Sequence, residues 1–355
     1  MVSTVKPYEG SGSGLTYYAY QLIKHMKPLL SKHDRIDELY ALDAAKKNNV
    51  AGLVGANTAF KRKIAAVPNG KYDIIHILDQ EIGFAAKALK KAHNKAKIIT
   101  TVHDLARFEK GLHRGLKQSL YNKLVRGSAA DAIRYSDVVL CNSTQTRDSI
   151  MKRFPETNTK VIYHGTDDRF LTMKKRTVGR KTAGKFVIGY IGALAYHKNV
   201  IFILKTAAHM KDDRRFMFRI YGEGPELKRL MKYKKSHSLD NVELMGYAPE
   251  KDKIHIYDSF DVFMFPSLYE GLGHPILEAE VRGLPVIICK GAAIPKEVSK
   301  YCMVAMDQKH AAKLIVYSVR GNNTLKLKRV IEYADIFAWK TTARCSFKIY
   351  KSVLS

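Results

Sequence analysis

The sequence predicts an α/β protein built from two doubly wound halves, each with a parallel sheet covered by helices. Length is the first observation, because 355 residues exceed the usual size of one domain. Second, short apolar runs that end at glycine, proline or polar residues alternate with stretches of helical spacing. Third, residues 261–289 contain an apolar strand, a glycine turn, a short helix and another apolar strand, which together form one unit of such a sheet.

Composition narrows the class of protein. A hydrophobic content of 46% fits a globular protein with a sizeable core. No apolar run reaches the ~18 residues of a membrane span. The first residues lack the apolar core of a signal peptide, so we expect a cytoplasmic protein. The four cysteines contain no C-x-x-C pair, which favours reduced core thiols over a zinc site.

The formal net charge of +28 predicts attraction to anionic partners, such as nucleic acid, acidic lipid head groups or phosphorylated ligands. Charge alone does not choose among them, and lysines spread along the chain are also typical of a generally basic surface. The stretch 105–130 combines many basic residues with apolar residues at helical spacing. It predicts either a basic amphipathic helix on an anionic membrane surface or an ordinary surface helix with a solvated polar face.

In the first half, a glycine-rich loop at residues 10–14 precedes a helix predicted at 15–30. The backbone N–H groups of such a loop can approach a phosphate, although a plain flexible loop explains the composition equally well. Apolar runs predict five strands in this half, at 38–42, 73–78, 97–102, 137–141 and 160–163.

His103 and Asp104 follow the strand predicted at 97–102. Ligands of open α/β sheets gather at the carboxyl ends of strands, so both residues are placed to face a cleft. The alternative is a structural histidine beside a capping aspartate. His76, inside the strand at 73–78, is predicted to be a hydrogen-bonded core residue.

The second half follows a stretch at 171–185 that contains basic residues and glycines but no acid, which predicts a solvated linker. A strand is predicted at 186–192. Lys198 lies at the next strand-to-helix turn, where it can pair with a diphosphate, although a surface lysine is an equal alternative. A further strand is predicted at 215–221.

Two carboxylates flank the glycine turn within residues 261–289. Glu270 precedes the short helix, and Glu278 lies inside it. Because Gly271 and Gly273 interrupt the helix, the two cannot form a helical i,i+4 pair. We interpret them as contacts to different parts of one ligand that crosses the helix start. The alternative is two exposed charges near a helix N-terminus.

The run from Glu270 to Glu278 resembles the E-x7-E motif of the family-4 retaining glycosyltransferases, which have the GT-B architecture of two Rossmann-like domains facing across a cleft. Further matches extend almost end to end. The resemblance implies a nucleotide-diphosphate-sugar donor, with Glu278 on the donor ribose and Glu270 at the transferred sugar. It places the backbone around Gly271, Leu272 and Gly273 near the diphosphate or the sugar.

In the first half, the resemblance assigns two more groups of site residues. Gly12 and Gly14 match a glycine loop that lies against the donor phosphates or the acceptor. His103 matches a histidine near the transferred sugar, which in many members is followed by an aspartate, here Asp104.

In the second half, Lys198 matches a family lysine, but Ala193 stands where members often carry an arginine. Arginine makes bidentate phosphate contacts that alanine cannot make. Neutralisation of the diphosphate must therefore rely on Lys198, on backbone amides or on another basic residue. The family places the nucleotide base beside the backbone of the stretch that contains Met245 and Gly246, so side chains do not identify the base.

The implied domain plan is an acceptor-binding domain at 1–170, a linker at 171–185, a nucleotide-sugar-binding domain at 186–336 and a C-terminal helix at 337–355 that crosses back to the first domain. The implied activity is retaining transfer of a sugar to a glycan or lipid-linked acceptor. No Asp-x-Asp cluster stands in a suitable turn, so we expect transfer without a metal or other cofactor.

Two alternatives stay open at this point. A basic nucleic-acid-binding protein would explain the charge, but the aromatic–basic interleaving typical of that class is missing. A GT-B-type sugar-nucleotide epimerase would share the architecture, because architecture alone does not determine chemistry.

Overall fold

The computed structural model describes residues 1–5, 14–42, 50–109, 116–172, 184–320 and 336–355. The chain divides into two compact units, Met1–Gly165 together with Phe337–Ser355, and Thr166–Ile336. Two predicted segments fall largely outside the described residues. These are the glycine loop at 10–14, of which Gly14 alone is described, and residues 173–183 of the predicted linker at 171–185.

The sheet of the first unit has six parallel strands in the order β2-β1-β3-β4-β5-β6. The strands are β1 (Val2–Val5), β2 (Leu39–Leu42), β3 (Ile74–Ile77), β4 (Lys97–Val102), β5 (Val138–Cys141) and β6 (Thr159–Val161). In the centre, β4 and β5 are buried along nearly their whole length, as expected of parallel strands covered on both faces. Their aliphatic and β-branched side chains favour this conformation.

His76 occupies the core position predicted for it. It is 1% exposed, and its Nε2 lies 2.8 Å from Oγ1 of Thr101. Its Nδ1 contacts the hydroxyl of Tyr350. Burial lowers the pKa of His76 to about 3, because a charged imidazole would lose its hydration there.

The helices of this part of the chain are α1 (Gly14–Met26), α2 (Val50–Ala65), α3 (Ala86–Ala92), α4 (Leu116–Arg134) and α5 (Thr144–Arg153). The predicted helix at 15–30 ends early, because Pro28 lies in a separate 3-10 turn, Lys27–Leu29. A single helix over 105–130 was also wrong. Residues Ala106–Phe108 form a 3-10 turn that ends at the extended backbone of Glu109, and α4 begins at Leu116.

The second unit has a sheet of six parallel strands in the order β12-β11-β10-β7-β8-β9. The strands are β7 (Phe186–Ile191), β8 (Phe216–Tyr221), β9 (Val242–Gly246), β10 (Val262–Met264), β11 (Val286–Cys289) and β12 (Met303–Ala305). The helices are α6 (Asp168–Thr172), α7 (Ile201–Ala208), α8 (Leu227–Ser236), α9 (Lys253–Asp258), α10 (His274–Val281), α11 (Lys296–Ser299) and α12 (Gln308–Val319). A 3-10 turn, Tyr196–Lys198, follows β7.

The last helix, α13 (Trp339–Leu354), returns to the first unit and packs against α1. Trp339 is buried beside Tyr18, and the hydroxyl of Thr342 donates to the carbonyl of Tyr163 at 2.7 Å. Gly165 permits this approach, since a Cβ there would lie 2.3 Å from the backbone nitrogen of Trp339. The prediction of two Rossmann-like halves with a returning C-terminal helix is confirmed.

Among the residues that the structure describes, no helix combines the length and the apolar character needed to cross a bilayer.

Candidate active site

The order of strands in the second unit reverses between β7 and β10. From β7 the sheet continues through β8 and β9 on one side and through β10, β11 and β12 on the other. In open α/β sheets, ligands bind outside the carboxyl ends of the strands at such a switch point. The loops that follow β7 and β10 carry Lys198 and Glu270, so the topology itself brings these two predicted residues to one place.

Lys198 and Glu270 form an ion pair in which Nζ lies 2.6 Å from Oε1. The two side chains are only 19% and 10% exposed. Backbone hydrogen bonds hold the loops of both residues in place. The N–H of Leu268 donates to the carbonyl of His197 at 2.8 Å, and the N–H of Glu270 donates to the carbonyl of Ala293 at 2.9 Å. The site therefore presents a half-buried cation whose charge is matched by a carboxylate.

The glycine turn leads directly into α10. Gly273 precedes this helix with a φ of 97°, a left-handed conformation that favours glycine. Pro275 lies in the first helical turn, where its missing N–H costs no hydrogen bond. Leu272 is buried, while Gly271 is half-buried. The turn thus brings backbone N–H groups of a helix start close to the loop of Glu270.

Glu278 lies in the second turn of α10 and is half-buried. Its Oε2 accepts a hydrogen bond from the hydroxyl of Tyr257 at 2.7 Å. Tyr257 is fully buried, and burial together with the charge of Glu278 raises the pKa of its hydroxyl well above the ordinary value. The hydroxyl therefore stays protonated and fixes one oxygen of the carboxylate.

Lys253 is a second cation near this carboxylate, and the sequence reasoning missed it. It pairs with Glu250 at 2.7 Å and lies four residues before Tyr257, on the same side of α9. Burial alone would lower the pKa of Lys253, but the charges of Glu278 and Glu250 raise it above the usual value. The i,i+4 spacing of Lys253 and Tyr257 was visible in the sequence, although nothing there linked it to Glu278.

Ala193, at the position of the family arginine, is exposed, and its carbonyl accepts a hydrogen bond from the hydroxyl of Tyr190 at 3.0 Å. The backbone here is crowded. A Cβ on Gly222, at the end of the neighbouring β8, would lie 1.9 Å from the carbonyl oxygen of Gly192. The turn after β7 is thus held by backbone contacts, and the methyl group of Ala193 carries no charge for a phosphate.

Met245 and Gly246 lie at the carboxyl end of β9, two strands away from β7. Met245 is 43% exposed, and Gly246 has a φ of 73°. The N–H of Gly222 donates to the carbonyl of Gly246 at 2.6 Å. These residues share the sheet edge with Lys198 but do not contact it.

In the first unit, His103 follows β4 and is nearly buried. Its Nε2 lies 2.8 Å from the carbonyl oxygen of Leu78; since a carbonyl only accepts, Nε2 carries the proton. Burial lowers the pKa of His103, so the ring is neutral near pH 7. The rings of Tyr18 and His164 lie 4.8 Å and 5.0 Å from it, centre to centre.

The positions of the other predicted residues of this unit say less about a ligand site. Asp104 accepts a hydrogen bond from the N–H of Ala106 at 2.8 Å, a local bond just before the 3-10 turn whose N-cap residue is Leu105. Gly14 is the first residue of α1, and a Cβ there would meet nothing within 4 Å. Gly12 lies outside the described residues. The structure therefore places His103 next to Tyr18 and His164. The sequence had assigned no role in the site to His164.

Two family models match this chain and together span most of it. The model described as "Glycosyltransferase Family 4" matches residues 14–170, and the model described as "Glycosyl transferases group 1" matches residues 173–334.

Several curated sequences are similar to parts or to most of the chain. The O-antigen biosynthesis glycosyltransferase WclY of Escherichia coli is 24% identical over 94% of this chain and 92% of its own length. The Escherichia coli UDP-Gal:alpha-D-GlcNAc-diphosphoundecaprenol alpha-1,3-galactosyltransferase is 27% identical over 61% of this chain and 58% of its own length. The match to EpsF of Bacillus subtilis is 37% identical but covers only 30% of this chain and 28% of EpsF.

A solved structure supports the fold over the full length. HepE of Anabaena, in complex with UDP and glucose, superposes with a TM-score of 0.72 over 99% of both chains at 16% identity. Both halves of the sequence thus match glycosyltransferase models, and the fold matches a GT-B enzyme. The chain belongs to glycosyltransferase family 4 and is a glycosyltransferase.

Proposed function

We propose that this protein is a retaining, metal-independent glycosyltransferase that moves a sugar from a UDP-sugar to a lipid-linked glycan acceptor. The observation that carries the proposal is the cluster of Lys198, Glu270 and Glu278 around the start of α10, at the switch point of the second sheet. UDP is proposed because HepE was solved with UDP and the galactosyltransferase relative is named for UDP-Gal.

Different residues of this cluster bind different parts of the donor. Glu278 binds the ribose hydroxyls, with its free oxygen directed by the bond from Tyr257. Lys198 binds the diphosphate and stabilises the charge that develops on it as the sugar leaves. Lys253, beside Glu278, supplies positive charge that Ala193 cannot supply. Backbone of the turn at Gly271, Leu272 and Gly273 lies along the diphosphate or the sugar, and backbone at Met245 and Gly246 lies along the base.

Glu270 is the residue placed at the transferred sugar. Its carboxylate neutralises Lys198 at 2.6 Å. When the diphosphate takes over that cation, Glu270 is released to accept hydrogen bonds from sugar hydroxyls. Glu270 therefore affects turnover, while Glu278 affects donor binding.

The first unit receives the acceptor. His103, with a neutral ring and a fixed tautomer, offers a hydrogen-bonding nitrogen at the carboxyl end of β4, and Asp104 follows it. Gly12 and Gly14 belong to the glycine loop before α1. A lipid-linked acceptor agrees with the names of the O-antigen and diphosphoundecaprenol relatives. Such an acceptor places the enzyme at the cytoplasmic face of an anionic membrane.

Retention is implied by the resemblance to the family-4 retaining glycosyltransferases, and the assigned carboxylates bear on how it is achieved. Glycosidases that retain configuration use one carboxylate as nucleophile and one as acid. Here Glu278 serves the ribose, so no such pair is available. The acceptor hydroxyl attacks from the face that the diphosphate leaves, and the leaving phosphate takes the hydroxyl proton.

A thermal-shift screen of UDP-, GDP- and ADP-sugars, with and without EDTA, tests the proposal. A ligand that binds only the folded protein raises its Tm. We expect a UDP-sugar to raise the Tm most, with no change on adding EDTA. No shift with any nucleotide sugar would overturn the proposal, and release of an isomerised sugar without acceptor would indicate an epimerase instead.

A further inference from the structure

The exposed side of α13 carries a continuous row of positive charge. Four cations recur every three or four residues, at Lys340, Arg344, Lys348 and Lys351. This spacing places them on one side of a helix. All four are exposed. Packing fixes the orientation, because the buried residues of α13 are Trp339, Thr342, Ala343 and Ser346.

Helix stability does not explain this row. α13 contains no acidic residue, and like charges four residues apart destabilise a helix. Lys340 lies in the first turn, where the helix dipole favours negative charge. Within the described part of the chain, none of the four cations forms an ion pair. A carboxylate near Lys351, that of Asp34, already accepts a hydrogen bond from the N–H of Ser31 at 2.9 Å. Lys351 also lies 4.7 Å from the centre of the Phe347 ring, so among the described residues it is Lys340, Arg344 and Lys348 whose charges have no counterpart.

The shape of the row fits an extended array of anions. From residue 340 to 351 it runs about 16 Å at 1.5 Å per residue. Leu354, at the end of the row, is 53% exposed. Cations beside an exposed apolar side chain are typical of helices that lie in the head-group region of a bilayer. Nucleic acid would use the charge but offers nothing for Leu354.

We propose that this face of α13, from Lys340 to Leu354, docks on a bilayer of anionic lipid. The proposal extends the proposed function and rests on it, since a lipid-linked acceptor must be reached at a membrane. It assigns the contact to the C-terminal helix rather than to the basic stretch at 105–130.

Vesicle flotation of the full chain tests the proposal, with phosphatidylglycerol vesicles compared with phosphatidylcholine vesicles. One variant changes the four cations of the row to glutamine: Lys340→Gln, Arg344→Gln, Lys348→Gln and Lys351→Gln. The matched control removes four exposed cations of the second unit, three of them in a row along α8: Lys211→Gln, Lys228→Gln, Lys232→Gln and Lys235→Gln. Circular dichroism and the Tm show whether each variant is folded.

Each cation near an anionic surface strengthens binding about fivefold. We expect the wild type to bind phosphatidylglycerol and not phosphatidylcholine. The α13 variant should bind at least about tenfold more weakly, and the control within about twofold of wild type. Equal losses in both variants would mean that net charge governs binding, which overturns the proposal. It is also overturned if the wild type ignores anionic vesicles, or if the α13 variant loses affinity for an RNA duplex but not for vesicles. UDP binding by the same variants reports separately on the donor site and should not change.

Discussion

Replacing Tyr257 by phenylalanine tests whether Glu278 is held in position for a ligand. Tyr257 is fully buried beside the rings of Phe260 and Phe263, and its hydroxyl donates to Glu278 at 2.7 Å. Because phenylalanine keeps the ring and its packing, the substitution removes this hydrogen bond and little else.

The structure allows an estimate of the effect. A hydrogen bond to a charged group contributes about 1.5–3 kcal/mol. Glu278 is half-buried, so water replaces part of the lost bond in the variant. We therefore expect UDP binding to weaken by about 1–2 kcal/mol, which is a roughly 5–30-fold increase in Kd.

Isothermal titration of UDP into wild type, Tyr257→Phe, Glu278→Ala and the double variant measures the effect. The double variant should bind no more weakly than Glu278→Ala, because the hydroxyl acts through the carboxylate. Tyr221→Phe is a matched control, since that hydroxyl, in β8, makes no hydrogen bond within the described part of the chain. Unchanged UDP affinity in Tyr257→Phe, or a full additional loss in the double variant, would refute the reasoning.

Three further substitutions separate the remaining roles. Lys198→Gln should weaken UDP roughly 10–100-fold and leave uridine unchanged, since only the charge-assisted phosphate bond is lost; an equal loss for uridine in titration would argue against this role. Glu270→Ala should lower kcat about 10²–10³-fold while the UDP Kd stays within about threefold; steady-state kinetics showing an effect on KM alone would contradict it. His76→Asn should flatten the pH dependence of stability. In the wild type, the unfolded chain binds a proton below about pH 6.5 that the folded state, with a pKa of about 3, does not bind, so stability falls by about 2 kcal/mol at pH 5. Urea unfolding at pH 7 and pH 5 measures how much the free energy of unfolding falls in the wild type and in the variant. An equal fall in both would exclude His76 as the cause.

Much of the fold could be predicted, because buried parallel strands are visible as apolar runs. The strand predicted at 97–102 coincides with β4. Other boundaries shift by one or two residues where an end residue has a different role. Asp261, for example, opens the strand predicted at the start of residues 261–289, but it lies just before β10, and its carboxylate accepts a hydrogen bond from the N–H of Val187 at 2.8 Å.

The contacts within the site could be predicted only in part. The resemblance to the E-x7-E motif predicted Glu270 and Glu278 as site residues, and the strand-to-helix turn predicted Lys198. The partner of Glu278 was missed because Tyr257 lies 21 residues away and its position is that of an apolar core residue. The ion pair between Lys198 and Glu270 joins residues 72 positions apart, so only the parallel pairing of β7 with β10 brings them together.

The central claim is that the cluster at the start of α10 holds the donor nucleotide. A crystal structure of the protein with bound UDP tests it most directly. The account predicts ribose hydroxyls within about 3.2 Å of the Glu278 carboxylate and a phosphate oxygen at a similar distance from Lys198 Nζ, with Glu270 released from that cation. UDP bound elsewhere, with the ion pair of Lys198 and Glu270 intact, would contradict it.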